Sequence, residues 1–321
     1  MMDDEKKREW FRVFAWAVLA YNIPVILWGA YVRASFSGDG CGAHWPFCNG
    51  QLIPQNMGAP MAIEFTHRLM TGLDSAAVIA LCVWAFRAFP RAHAVRLYSV
   101  LSLIFLFVEA LLGAGLVLLR YVAKDQSAGR AWYLSAHLTN TMLLLGALTI
   151  TAWTAYRNVD RVGFASVPRF QLGALLVTIG IGITGAIVAL GDTLFPASSF
   201  AAGLRQDFSS TAIPLLRLRT LHPLLAILGG AYLIWTALRV IKRNRVAAAV
   251  ITLVLCQLAA GAVNLSLLAP IWMQLIHLFL ADVLWIHVVM LVLNDLPQRQ
   301  RTLGDSITIP KPSSSVQVER W

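Results

Sequence analysis

Runs of roughly 18 or more apolar residues recur eight times along this chain, and each is long enough to cross about 30 Å of hydrocarbon as a helix. Water is absent from a bilayer core, so a spanning segment must satisfy its own backbone, and runs of this length do so as helices. We place the spans at 13–33, 62–86, 97–119, 131–155, 170–190, 220–240, 247–268 and 272–293 of 321 residues. Composition agrees: 58% of residues are hydrophobic and 13% charged, against about 25% charged in ordinary soluble domains. A water-soluble enzyme is excluded. The expected fold is an all-α polytopic membrane protein.

The net charge of +10 suggests nucleic acid only until its distribution is read. Lys and Arg sit in short clusters between the apolar runs, around residues 6–12, 87–96, 157–169, 239–245 and 299–320. That is membrane topology, not a nucleic-acid-binding face, and it predicts both termini on the cytoplasmic side of the cell's inner (plasma) membrane, with 18 of the 26 basic residues inside. The first run follows Lys6, Lys7, Arg8 and Arg12 but is too long for a signal peptide, and we read it as a retained helix. Two long connections, about 34–61 and 191–219, then fall on the outer face, where function is expected.

The chain also repeats itself. Gly29-Ala30-Tyr31-Val32 matches Gly185-Ala186-Ile187-Val188 at an offset of 156, and His67-Arg68-Leu69 matches His222-Pro223-Leu224 at 155. Leu112-Gly113-Ala114-Gly115 pairs with Ala259-Ala260-Gly261-Ala262, and Ala136-His137-Leu138 with Ile276-His277-Leu278. These matches predict two pseudo-symmetric four-helix bundles related by an axis along the membrane normal. The halves are residues 1–160 and 161–296; residues 297–321, with Pro310, Pro312 and Ser313–Ser315, read as a disordered cytoplasmic tail.

His67, His137, His222 and His277 lie a turn or so inside the even-numbered spans, two per half, near the outer surface. A single membrane histidine more often bonds a neighbouring helix. Four at matched depth favour bis-histidine haem ligation, one imidazole on each side of an iron, in two sites. His287 breaks the repeat and reads as structural; His44 and His93 fall in loops.

Glu64 precedes His67 by three residues and shares its helix face. It is either a proton-handling carboxylate at a haem pocket, or an N-terminal helix acid paired with Arg68. The equivalent position before His222 is Arg219, so the halves are chemically unequal. Cys41 and Cys48 share the first outer loop, where a disulfide, structural or redox-active, suits an oxidising compartment. Zinc through Cys41, His44 and Cys48 lacks a fourth ligand. Cys82 and Cys256 read as packed thiols.

These residues resemble the haem A synthase family. The resemblance rests on Gly29–Arg33, Cys41-Gly42-Ala43-His44-Trp45-Pro46-Phe47-Cys48-Asn49-Gly50, Glu64-Phe65-Thr66-His67-Arg68-Leu69, Gly191-Asp192-Thr193-Leu194-Phe195-Pro196, Leu221-His222-Pro223 and His277–Asp282. It implies an eight-helix enzyme that oxidises the C8 methyl of haem O to a formyl group by successive hydroxylations. It further implies that His67 and His137 flank the haem O substrate in the first half, and that His222 and His277 ligate the iron of a resident haem b in the second. Glu64 matches the family's catalytic glutamate, and Cys41 and Cys48 its outer-loop disulfide. A second cysteine pair found in some relatives between spans 5 and 6 is missing, since residues 191–219 contain no cysteine.

Arg33, Arg68, Arg217 and Arg219, near the outer ends of spans, are candidate contacts for haem propionates, or snorkel to lipid headgroups. Expected partners are membrane lipid, a haem O synthase, a terminal oxidase and possible further copies of the chain; nucleic acid is not one. The rival readings are a bis-haem b electron-transfer cytochrome, which needs neither Glu64 nor the cysteines, and a haem transporter.

Overall fold

The computed structural model describes residues 2–209, 219–296 and 299–300. Its elements are α1 (Met2–Ala34), α2 (Ala59–Ala88), α3 (Ala94–Leu118), α4 (Ala128–Arg157), β1 (Val159–Arg161), α5 (Arg169–Leu194), the short α6 (Phe200–Asp207), α7 (Leu221–Val240), α8 (Val246–Ser266), α9 (Ile271–Asp295) and β2 (Arg299–Gln300). Among the described residues eight helices, all but α6, are long and apolar enough to cross a membrane. The protein is a multi-pass, all-α membrane protein.

Local chemistry sets the helix ends. Pro60 sits in the first turn of α2, where its missing N–H is no loss. Ser127 Oγ accepts from Arg130 N at the start of α4, and Asn158 ends that helix in the left-handed region at φ 54°. His93 caps α3, its Nδ1 accepting from Val95 N; burial pushes its pKa below the usual histidine value. The sequence reading stops span 5 at residue 190, but α5 continues to Leu194 and takes in Gly191, Asp192 and Thr193. The second outer connection is correspondingly shorter.

The packing forms two closed rings of four. Helices α1, α2, α3 and α4 contact one another in cyclic order, as do α5, α7, α8 and α9. The rings meet through α4 against α5 and α9, and through α1 against α9. Accordingly α4 is enclosed on nearly every side from Asn140 to Ala155, whereas Ile104, Phe107 and Leu111 of α3 point outward, as lipid-facing positions must. Because lipid is as apolar as leucine, helix association depends on close packing and polar bonds. At the seam, Trp285 Nε1 donates to Met142 O (2.7 Å) and Trp153 Nε1 to Asn294 Oδ1 (2.8 Å).

Two expectations change in detail. Cys82 is buried, but Cys256 is exposed on the outer side of α8, because that face turns away from both bundles. Arg299–Gln300, at the start of the C-terminal segment, pair antiparallel with Val159–Arg161; the remainder of that segment lies outside the described residues.

Candidate functional site

The four histidines occupy the first ten residues of α2, α4, α7 and α9. Alternating chain direction makes all four helices start from the same end of the molecule. Each imidazole turns its Cε1 edge toward a glycine on the preceding long helix. A methyl group at Gly29 would lie 3.0 Å from His67 Cε1, at Gly185 3.1 Å from His222, at Gly261 3.1 Å from His277, and at Gly113 3.8 Å from His137. At the first three positions a side chain would crowd the ring; the fourth is ordinary contact. Gly29 and Gly185 are repeat partners as aligned, while the structural partner of Gly261 is Gly113, one residue from the sequence alignment.

Within each ring the histidines form pairs. His67 and His137 are neighbours in the first ring, and His222 and His277 in the second. The nitrogens differ in their surroundings. His222 Nδ1 is 3.0 Å from Thr184 Oγ1. The repeat partner of Thr184 is Trp28, whose Nε1 donates to Ile63 O instead (3.0 Å), and His67 Nδ1 is buried without a partner. His137 Nδ1 lies 3.4 Å from Glu109 Oε1. His277 Nε2 lies 3.3 Å from the Gln257 amide, and its Nδ1 has no partner. Paired imidazoles, each seated on a glycine and with Nε2 of His67, His137 and His222 in no hydrogen bond among the described residues, fit an axial donor set for haem iron; the orphaned Nδ1 atoms of His67, His137 and His277 are not the ligating nitrogens. Ligation through Nε2 of His67, His137 and His222 leaves the contacts above intact; at His277 the amide or the ring must turn.

Glu64 is buried and fully engaged. Its Oε2 accepts from Cys41 N (2.8 Å) and its Oε1 from Arg68 (2.5 Å). Arg68 also donates to the loop carbonyls of His44 (2.7 Å), Pro46 (3.3 Å) and Phe47 (2.8 Å). The pair therefore clamps the cysteine loop onto α2. Cys41 and Cys48 are joined by a disulfide, which excludes them as thiolate ligands for zinc. Gly42 takes a φ of +62°, and a methyl group at Gly40 would run into the backbone of Pro60 and Met61 at 2.5–2.6 Å.

The second half carries the opposite charge pattern. Arg219, in the place of Glu64, is buried and donates to Asp207 Oδ1 (2.6 and 2.9 Å), Asp192 Oδ1 (3.3 Å), Gln206 Oε1 (3.0 Å) and Phe195 O (3.1 Å). Arg33 crosses the seam to Ala189 O (2.7 Å), Thr193 Oγ1 (2.5 Å) and Gln274 Oε1 (3.0 Å). The three described candidates for propionate contacts thus already hold protein partners; Arg217 lies outside the described residues.

The model of the COX15-CtaA family, cytochrome oxidase assembly proteins, matches residues 12–289, which takes in both helical rings and all four histidines. The chain belongs to this family. Among curated relatives, a Thermus thermophilus protein named Protoheme IX farnesyltransferase is 42% identical over 306 residues, covering 91% of this chain and 50% of its own length. A Heme A synthase of Exiguobacterium sibiricum is 30% identical over 180 residues, 55% of this chain and 58% of that protein. A second Heme A synthase, from Lysinibacillus sphaericus, is 39% identical over 117 residues, 36% of this chain and 37% of its own. The chain spans about half the length of the first of these family relatives.

Two features of this family member escape sequence reasoning. Glu109, on α3, reaches His137 although 28 residues separate them, and Gln257 reaches His277 across 20. Both stand four residues before the glycine that receives the ring, a spacing that the Gly113–Gly261 register would have exposed. His287 bonds its own helix, Nδ1 to Val283 O (2.8 Å), and His93 is held by Val95 N and Asn158 Oδ1, neither facing the pairs.

Proposed function

We propose that this chain is a haem A synthase, which oxidises the C8 methyl group of haem O to a formyl group by successive hydroxylations and loss of water. The observation that carries the reading is the repeated glycine–histidine seat, two per ring, joined in one ring only to a buried glutamate under a disulfide-closed loop. Relatives named Heme A synthase support it. The farnesyltransferase name belongs to a Thermus protein about twice as long, half of which this chain does not match.

In this reading His67 and His137 flank the haem O substrate, and His222 and His277 would hold haem b, which supplies one-electron transfer. The chain's own groups then divide the work. The glycines let each imidazole stand close to the backbone of the neighbouring helix. The loop of residues 41–48 is pinned by Glu64 and Arg68 to the start of α2, a turn from His67. Glu64, with one oxygen on a backbone N–H and the other on a guanidinium, is the carboxylate at the loop end of the ring, and it would move a proton by exchanging one of these bonds. Arg219 in the corresponding position cannot do so, which makes the second ring the supporting site. An electron-transfer cytochrome would use the four histidines alike and leave that inequality without a purpose.

The loop end faces the oxidising side, where a disulfide persists, and both termini face the cytoplasm of a cell whose inner membrane the chain spans. A haem O synthase would supply the substrate and a terminal oxidase would receive the product. Co-expression with a haem O source, followed by chromatography and mass analysis of extracted haem, tests the reading. Wild type is expected to yield haem A, and Glu64→Ala to retain haem O. Haem b alone in the wild type would contradict it.

A further inference from the structure

The two rings place unlike groups beside the histidine of their fourth helix. Glu109 on α3 and Gln257 on α8 are structural counterparts: each stands four residues before its ring-receiving glycine, at the same offset of 148 as Gly113 and Gly261. Glu109 Oε1 lies 3.4 Å from His137 Nδ1, and that nitrogen has no hydrogen-bond partner of its own. The carboxylate is held in place from α4: Asn140 Nδ2 donates to Oε2 (2.6 Å) and the Thr141 hydroxyl to Oε1. His137, Asn140 and Thr141 are spaced i, i+3, i+4 and so share one helix face. The matching positions after His277 are Leu280 and Ala281, which cannot hold a carboxylate, and the residue on α8 is a neutral amide that meets His277 at Nε2 (3.3 Å) and leaves its Nδ1 without a partner.

We propose that Glu109 is a positioning residue for His137: it accepts a hydrogen bond from Nδ1–H, leaves Nε2 as the nitrogen for haem iron, and makes this imidazole a stronger donor than His277. A metal-bound histidine ordinarily gives its second N–H to such an acceptor, and a carboxylate raises ligand basicity. A more basic axial ligand favours the ferric state, so the first site sits at the lower potential and the second, beside Gln257, at the higher. This inference rests on the haem-ligand reading above.

The test is a redox titration of the full-length purified protein with its native haems, followed by visible absorbance. Wild type titrates in two steps. Glu109→Gln raises one step by a tenfold or larger change in the ferric-to-ferrous ratio, about 59 mV for one electron; Glu109→Asp stays nearer the wild type. If Glu109→Gln fails to fold, Asn140→Leu, which removes the donor that holds Glu109 Oε2, decides by raising the same step. Haem-loaded variants in which neither step moves, or in which Glu109→Gln and Asn140→Leu move different steps, overturn the inference while leaving the synthase reading in place. A wild type that binds no haem overturns both.

Discussion

At the scale of single residues, the contact that matters most to the histidine pairs is the one between a ring and a missing side chain. Gly29→Ala would place a methyl 3.0 Å from His67 Cε1, and overpacking of this kind costs about 1–3 kcal/mol. Haem retention in the first ring should fall about tenfold by that measure, read as haem per protein after dilution. Gly113→Ala, whose methyl would make an ordinary contact with His137 Cε1 at 3.8 Å, should leave retention unchanged. His93 gives a pH prediction. Burial lowers its folded pKa below the ordinary value of 6.5, so the unfolded chain binds the extra proton first. The neutral-cap contribution is therefore complete above about pH 6.5 and is lost as pH falls toward the folded pKa. Thermal melting across about pH 5–8 should show wild type weakening on the acid side more than His93→Asn, which keeps a capping side chain that does not titrate. The four imidazoles and Glu64 were legible from the sequence because ionisable groups are rare in spans. Glu109 was not, since its meaning depends on which face of α3 meets α4.

At the scale of elements, the loop between α1 and α2 acts as one unit with the start of α2. The disulfide closes a loop with a sequence separation of 7, and chain entropy for that size gives about 2.5 kcal/mol. Cys41→Ser should accordingly lower the loop's resistance to proteolysis without unfolding the helices, checked by limited digestion in detergent. Arg68 donates to Glu64 and to three loop carbonyls, so Arg68→Ala should release the same loop even with the disulfide intact. The helix count and the span positions follow directly from apolar run length, which is a local property. The end of α5 did not, because Gly191-Asp192-Thr193 is polar enough to suggest a loop; it stays helical as Arg33 and Arg219 bond its last turn.

At the scale of the whole molecule, two rings of four helices carry the same seat for a pair of histidines and differ in the charged groups around it. The repeat was visible as matched Gly and His positions, yet its inequality was only half visible. Arg219 in the place of Glu64 could be read from the chain, whereas Glu109 opposite Gln257 required the packed α3–α4 and α8–α9 faces. On this reading each ring serves its own haem. The direct measurement is the identity and amount of each haem extracted from purified wild type, His67→Ala and His222→Ala proteins co-expressed with a haem O source. His222→Ala should lose haem b while keeping haem O or its oxidised product, and His67→Ala should do the reverse. Loss of the same haem from both variants would contradict it.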